Sequence, residues 1–211
     1  MKLNFQKALI LAPHTDDGEF GCGGTIAKMI EQGTEVYMAA FSACEQSVLK
    51  KYPPDILISE LKNATGLLGI PSKNLFLYDY QVRIFSERRQ DILQTIIELR
   101  NKINPDVVFM PSLDDIHQDH YTIAQEGLRA FKFSTILTYE MPWNNLTFTT
   151  SSFVKLEERH VQKKVEALKE YNSQSHRPYS TEAFIRALAM TRGVQINTTY
   201  AETFNVIRLI I

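Results

Sequence analysis

The stretch LILAPHTDDGEFGCGGTIAK, residues 9–28, decides the fold. An apolar run that begins at Ala8 breaks off into His14, Asp16, Asp17 and Glu19, then passes a glycine cluster. The pattern that follows predicts a helix over 25–32, ended by Gly33. A buried strand, a polar turn and a helix form the opening unit of an alternating α/β chain. Polar groups at the end of a buried strand cost free energy unless they are paired or bound to a ligand, so the turn either caps the helix or holds something.

Outward from this unit the alternation repeats. β-like runs at 8–12, 35–40, 75–80, 107–110 and 136–140 are separated by helical patterns at 25–32, 54–68, 86–103 and 121–131. The second helix places Leu57, Leu61, Ala64 and Leu68 on one face, and the third repeats Ile92, Ile96 and Ile103 before Pro105. This predicts a doubly wound, mostly parallel, Rossmann-like α/β sheet with helices on both faces. After Met141-Pro-Trp the pattern changes to a β-like stretch at 147–154, a charged amphipathic helix at 157–171, a helix at 182–191 and a strand-like run at 204–211. That C-terminal helical and β extension is expected to cover one end of the sheet and complete a pocket wall. With 211 residues, no Gly/Ser/Pro-rich linker and no internal repeat, the expectation is a single domain over residues 1–211.

Charge narrows the partner classes. With 23 Lys+Arg against 24 Asp+Glu the net charge is -1, and no basic block stands out, which argues against nucleic acid or an anionic membrane and for a small-molecule substrate. Cys22 and Cys44 are too few for a disulfide framework, and the first residues lack the long apolar stretch of a signal peptide or a membrane span. A cytoplasmic protein is expected.

In a doubly wound sheet of order 3-2-1-4-5, the loops after strands one and four open onto one crevice. The second of these loops is PSLDDIHQDH, residues 111–120. His14, Asp17 and His120 then supply the three protein ligands of a catalytic zinc site, or of another divalent metal, leaving the fourth position to water. Asp16 stands beside them as a base for the metal-bound water, and His117 as a group that stabilises or protonates what forms. The rival reading takes Gly21–Gly24 as a phosphate-cradling turn of a nucleotide- or S-adenosylmethionine-binding transferase. Against it, GCGGT lacks the full G-x-G-x-x-G spacing, and no acidic residue ends the second strand. A non-catalytic sugar-binding module is the third reading. Cys22 reads as a small buried hydrophobe. Tyr80 and Arg83, in YDYQVR, follow the third strand and are candidates for substrate contacts, as is Arg192; His160 and His176 read as surface residues.

PHTDDGEFGCGGTIA together with DDIHQDH resembles the paired motifs of the PIG-L/LmbE-like family of zinc-dependent N-acetylglucosaminyl deacetylases, and YNSQ (171–174), RGVQ (192–195) and YAETF (200–204) extend the resemblance over nearly the whole chain. It implies His14, Asp17 and His120 as zinc ligands, Asp16 as general base, His117 as the histidine assisting at the tetrahedral intermediate, and Asp119 as the carboxylate beside it. It also implies hydrolysis of the N-acetyl group of an N-acetylglucosamine-type sugar or conjugate by zinc-bound water, and a homo-oligomer, which relatives commonly form. The chain departs from the family pattern at Thr15 and Gln118, where prolines are usual, at Gly18, where Glu is usual, and at Leu57, where many relatives carry a substrate-contacting Arg upstream of a Glu, here Glu60.

Overall fold

The computed structural model describes residues 5–210. Its strands are β1 (Lys7–Ala12), β2 (Glu35–Ala40), β3 (Leu75–Leu77), β4 (Val107–Pro111), β5 (Thr135–Tyr139), β6 (Ser152–Leu156) and β7 (Tyr200–Arg208). The helices are α1 (Asp17–Glu31), α2 (Ile56–Leu68), α3 (Arg89–Ile103), α4 (Gln118–Ala130), α5 (Glu158–Lys169) and α6 (Glu182–Val194). All strands form one sheet of order β3-β2-β1-β4-β5-β7-β6. The first five in that order are parallel, and β7 and β6 add an antiparallel edge.

Alternation within β1 builds two cores. Ala8 and Ile10 meet Ile26 and Met29 of α1, Leu57 and Leu61 of α2 and Val161 and Val165 of α5 in one apolar cluster. Leu9 and Leu11 meet Ile92 and Ile96 of α3 and Ile123 of α4 in the other. A strand with apolar residues on both faces must be covered on both, which is why the run is continuous rather than alternating. The chain order reverses at β1, with β2 on one side and β4 on the other, so the loops after β1 and β4 share one crevice.

Several expected boundaries move. The third strand ends at Leu77 rather than 80, the β-like stretch at 147–154 becomes β6 further on, and the last strand begins at Tyr200 and ends at Arg208. A 3-10 turn, Phe85–Arg88, precedes α3. The largest correction concerns α1, which starts at Asp17, directly after the polar turn. The glycine cluster lies inside the helix, which kinks at Cys22 (φ -148°, ψ 24°). A Cβ on Gly21 would stand 2.4 Å from the Tyr139 ring, and one on Gly18, where the family usually has Glu, 2.7 Å from Met38. Close packing against the Tyr139 ring requires glycine at 21, while at 18 the end of the Met38 side chain would have to move.

At the kink the freed backbone N–H groups find a carboxylate. Gly24 and Thr25 donate to Glu202 of β7 at 3.0 and 2.6 Å. Buried Lys164 of α5 neutralises that carboxylate at 2.7 Å and donates to the Phe20 carbonyl. His160, expected on the surface, is buried at the start of α5, where Nδ1 accepts from the Glu157 N–H and the other ring nitrogen meets Glu31 at 2.5 Å. His176 is exposed as expected.

Candidate functional site

The turn after β1 and the loop after β4 bring together the side chains that their sequence positions suggested. His14 Nδ1 lies 3.0 Å from Asp17 Oδ2, His120 Nε2 lies 3.1 Å from the same oxygen, and the two ring nitrogens are 3.2 Å apart. A tetrahedral zinc with bonds of about 2.0–2.1 Å has neighbouring ligand atoms about 3.3 Å apart, so this triangle has nearly the edge lengths of three corners of that polyhedron. Chemically the set is two imidazoles and a carboxylate, the donors a divalent zinc takes, and it fits the ion. His117 is a looser neighbour. Its nitrogens come within 4.8 Å of those of His14 and His120, without the short contacts of the triangle.

Both imidazoles of the triangle are held from behind. His14 Nε2 donates to Asp119 Oδ2 at 3.0 Å and His120 Nδ1 to Asp115 Oδ2 at 2.8 Å. A carboxylate on the distal nitrogen fixes tautomer and ring orientation and leaves the near nitrogen's lone pair for a cation. Each carboxylate is itself pinned: Asp119 accepts from the Arg83 N–H at 2.7 Å, and Asp115 Oδ1 from the His117 N–H at 2.8 Å. Asp119 is wholly buried behind His14, a positioning place rather than one facing a substrate.

Electrostatics follow from this clustering. Burial alone would raise the Asp17 carboxyl, but His120 and His14 outweigh it and hold it well below the usual range. Burial likewise opposes charge on His120, yet Asp17 and Asp115 push it up to about 10. The Asp16 carboxyl is raised to about 6, first by burial and then by the neighbouring Asp17 charge, with Arg177 and His14 opposing. Burial, with His14 and His120 nearby, drives His117 down to about 4. Its Nδ1 accepts from the Asp119 N–H at 3.2 Å at the start of α4, so the neutral ring carries its proton on Nε2.

These groups line a cavity with about 320 Å³ of water-accessible space, walled also by Phe20, Leu57, Arg83, Trp143, Arg177 and Tyr179. Trp143 and Tyr179 stack at 3.9 Å with Phe20 edge-on to both.

Residues 9–131, more than half of the chain, match the family model PIG-L: GlcNAc-PI de-N-acetylase. The chain belongs to the PIG-L family. Among curated proteins it is 28% identical over 174 residues to YaiS of Escherichia coli (strain K12), described as an uncharacterized deacetylase, covering 78% of this chain and 90% of that one. The N,N'-diacetylchitobiose deacetylase of Pyrococcus horikoshii superposes with a TM-score of 0.77 at 22% identity, over 97% of this chain and 84% of that one. GalB, the 4-carboxy-2-hydroxymuconate hydratase of Pseudomonas putida KT2440, does so with a TM-score of 0.79 at 20% identity, over 100% and 98%. The last two similarities concern the fold, which carries a deacetylase in one case and a hydratase in the other, so the fold alone does not specify the chemistry.

The PIG-L site differs from the sequence-based expectation in its outer parts. Tyr80 points away from the cavity, its hydroxyl 2.8 Å from Thr95 Oγ1 and its ring against Phe41 and Phe85. Arg192 pairs with Glu140 beside a separate small cavity. A partner 52 residues upstream, invisible in the sequence, claims its guanidinium. Arg83 does line the cavity. Sequence reasoning missed Asp115, Trp143, Arg177 and Tyr179. The Asp114–Asp115 pair of DDIHQDH was the available signal for the first, and HRPY following YNSQ for Arg177. The Gly24 and Thr25 N–H groups at the kink already serve Glu202, so these two donors are not free for a phosphate. Among the described residues no helix is long and apolar enough to cross a membrane.

Glu19 completes the answer to the polar turn. It is fully buried and takes a hydrogen bond from the Tyr171 hydroxyl at 2.8 Å, and that hydroxyl also lies 2.5 Å from the Thr15 carbonyl. Burial raises the Glu19 carboxyl to about 8, so it is neutral at pH 7 and serves to lock the turn to the 171–180 loop.

Proposed function

We propose that this chain is a zinc-dependent N-deacetylase of small N-acetylated aminosugars or their conjugates, with His14, Asp17 and His120 as ligands. The observation that carries the reading is the His14–Asp17–His120 triangle, backed by two carboxylates and open to a cavity that also holds Asp16 and His117. When bound, zinc polarises the acetamide carbonyl and lowers the pKa of a bound water to about 7.

The chain's own groups do the rest. Asp16, raised to about 6, is ionised at neutral pH yet basic enough to accept the proton of the attacking water. The same carboxyl then returns that proton to the departing nitrogen, which leaves as an amine with acetate as the second product. His117, read from sequence as a group acting when protonated, works here as a neutral donor: its Nε2–H faces the developing oxyanion while Nδ1 stays on the α4 backbone. Asp119 and Asp115 orient the ligand rings. Trp143 and Tyr179 offer an aromatic face to a sugar ring.

Metal analysis combined with a screen of amine release tests the reading. About one zinc per chain is expected, with release of amine from N-acetylglucosamine derivatives that a chelator abolishes and zinc restores. A chain holding no stoichiometric divalent metal and releasing no amine contradicts it.

A further inference from the structure

Of the four polar side chains in the turn after β1, three are held by other side chains. His14 is bonded to Asp119, Asp17 meets both imidazoles and takes the His14 N–H at 2.8 Å, and Glu19 meets the Tyr171 hydroxyl. Asp16 differs. It stands at the N-cap of α1 (φ -105°, ψ -8°) with no cap bond from its side chain, and it has no ion pair among the described residues. The direction in which its carboxylate points is therefore set by the backbone that carries it.

That backbone is fixed on both sides. The Asp16 carbonyl takes the Phe20 N–H at 3.0 Å, as α1 begins. The Thr15 carbonyl, in a buried residue, takes the Tyr171 hydroxyl at 2.5 Å. The peptide that Tyr171 clamps is the planar unit joining Thr15 to Asp16, so rotating it would swing the Asp16 side chain. Tyr171 is itself buried, just past the end of α5, and its hydroxyl also meets Glu19 at 2.8 Å, which leaves the clamp little freedom. It opens the 171–180 loop, which puts Gln174, Arg177 and Tyr179 into the cavity wall. Glu60 grips that loop separately, accepting from the Ser173 N–H and hydroxyl at 2.9 and 2.6 Å. The ligand rings have their own braces in Asp119 and Asp115. The clamp thus bears on Asp16 more than on the metal ligands.

We infer that Tyr171 is a positioning residue for the reaction: its hydroxyl, on the Thr15 carbonyl, holds the Asp16 carboxylate at the angle from which it takes the proton of the attacking water. This rests on the deacetylase reading, in which Asp16 is the base. Displacing a reacting group by about 1 Å can cost about 10²-fold in rate, a larger effect than one lost hydrogen bond has on the fold.

The test uses the zinc-loaded protein with N-acetylglucosamine and its methyl glycoside, and kcat is counted per bound zinc so that a misfolded fraction does not enter. Tyr171→Phe, which removes only the hydroxyl, is expected to bind zinc like the parent, to keep KM within about threefold and to lose about 10- to 100-fold in kcat. In the Asp16→Asn background the same change should cost less than about twofold, because no base is left to aim. Ser173→Ala loosens the same loop at Glu60 without touching the Thr15 carbonyl, and should keep kcat within about threefold of the parent. Parental kcat in Tyr171→Phe, zinc lost along with activity, an undiminished cost in the Asp16→Asn background, or an equal loss in Ser173→Ala overturns the positioning role and leaves the deacetylase reading standing. A parent that releases no amine from either sugar overturns both.

Discussion

Asp115 shows how much of this site depends on groups that never face a substrate. One of its oxygens takes the His120 ring N–H and the other the His117 backbone N–H, so a single buried carboxylate sets a proposed zinc ligand and the start of the proposed oxyanion donor. Asp115→Ala is expected to lower zinc affinity about 10- to 100-fold, measured by competition with a chelator, with the fold intact by circular dichroism. His117→Ala has the opposite signature. Since His117 lies outside the ligand triangle, the variant should keep its zinc and lose on the order of 10²–10³ in kcat. Parental turnover in that variant would make His117 structural. At this scale the sequence was legible where chemistry sits in local spacing: His14, Asp16, Asp17, His117 and His120 all line the cavity as read. It was silent where a partner is remote, as for Tyr80 on Thr95 and Arg192 on Glu140.

At the scale of elements, α1 is where a polar turn runs directly into a helix that kinks at Cys22. Its kink exposes N–H groups that Glu202 satisfies from β7, and Lys164 of α5 compensates the charge, tying three elements at one point. Glu202→Gln leaves a buried ammonium without its counter-charge, and about 3–5 kcal/mol of unfolding free energy should be lost in denaturant titration. The C-terminus of α1 is fastened by a different device. Glu31 meets Arg159 and His160 at the start of α5, and hydrogen bonds from Arg159 first and His160 second lower its carboxyl to about 2. Because the folded value lies below the unfolded value of about 4.5, this contact stabilises above that pH and is lost as pH falls through about 2. Glu31→Gln should therefore lower Tm at pH 7, with the gap closing between about pH 4.5 and 2. A gap independent of pH would contradict the assignment. A charged helix face read as solvated hid this contact, because the partner of His160 lies 129 residues away.

Across the whole molecule, β1 and β4 divide the sheet so that every functional loop emerges at one edge, and that division was readable from apolar runs alternating with helices. Right-handed crossovers and short connections narrow the orders open to such a chain, and the order 3-2-1-4-5, which entered the sequence reading as a condition, is the one the sheet has. The antiparallel edge could not be read that way, since β7 inserts between β5 and β6 by pairing across long sequence separations. The 171–180 loop belongs to that less legible part, and with it Arg177 and Tyr179. What the two halves build together is a contrast between adjacent aspartates: Asp17 contacts both imidazoles, whereas Asp16 lines the cavity and has no ion pair among the described residues. The most direct measurement is therefore zinc stoichiometry and amine release determined side by side for Asp16→Asn and Asp17→Asn. Asp16→Asn should hold zinc like the parent and lose about 10²–10⁴ in kcat, while Asp17→Asn loses the metal and activity together. Zinc lost from Asp16→Asn but retained by Asp17→Asn would contradict the account.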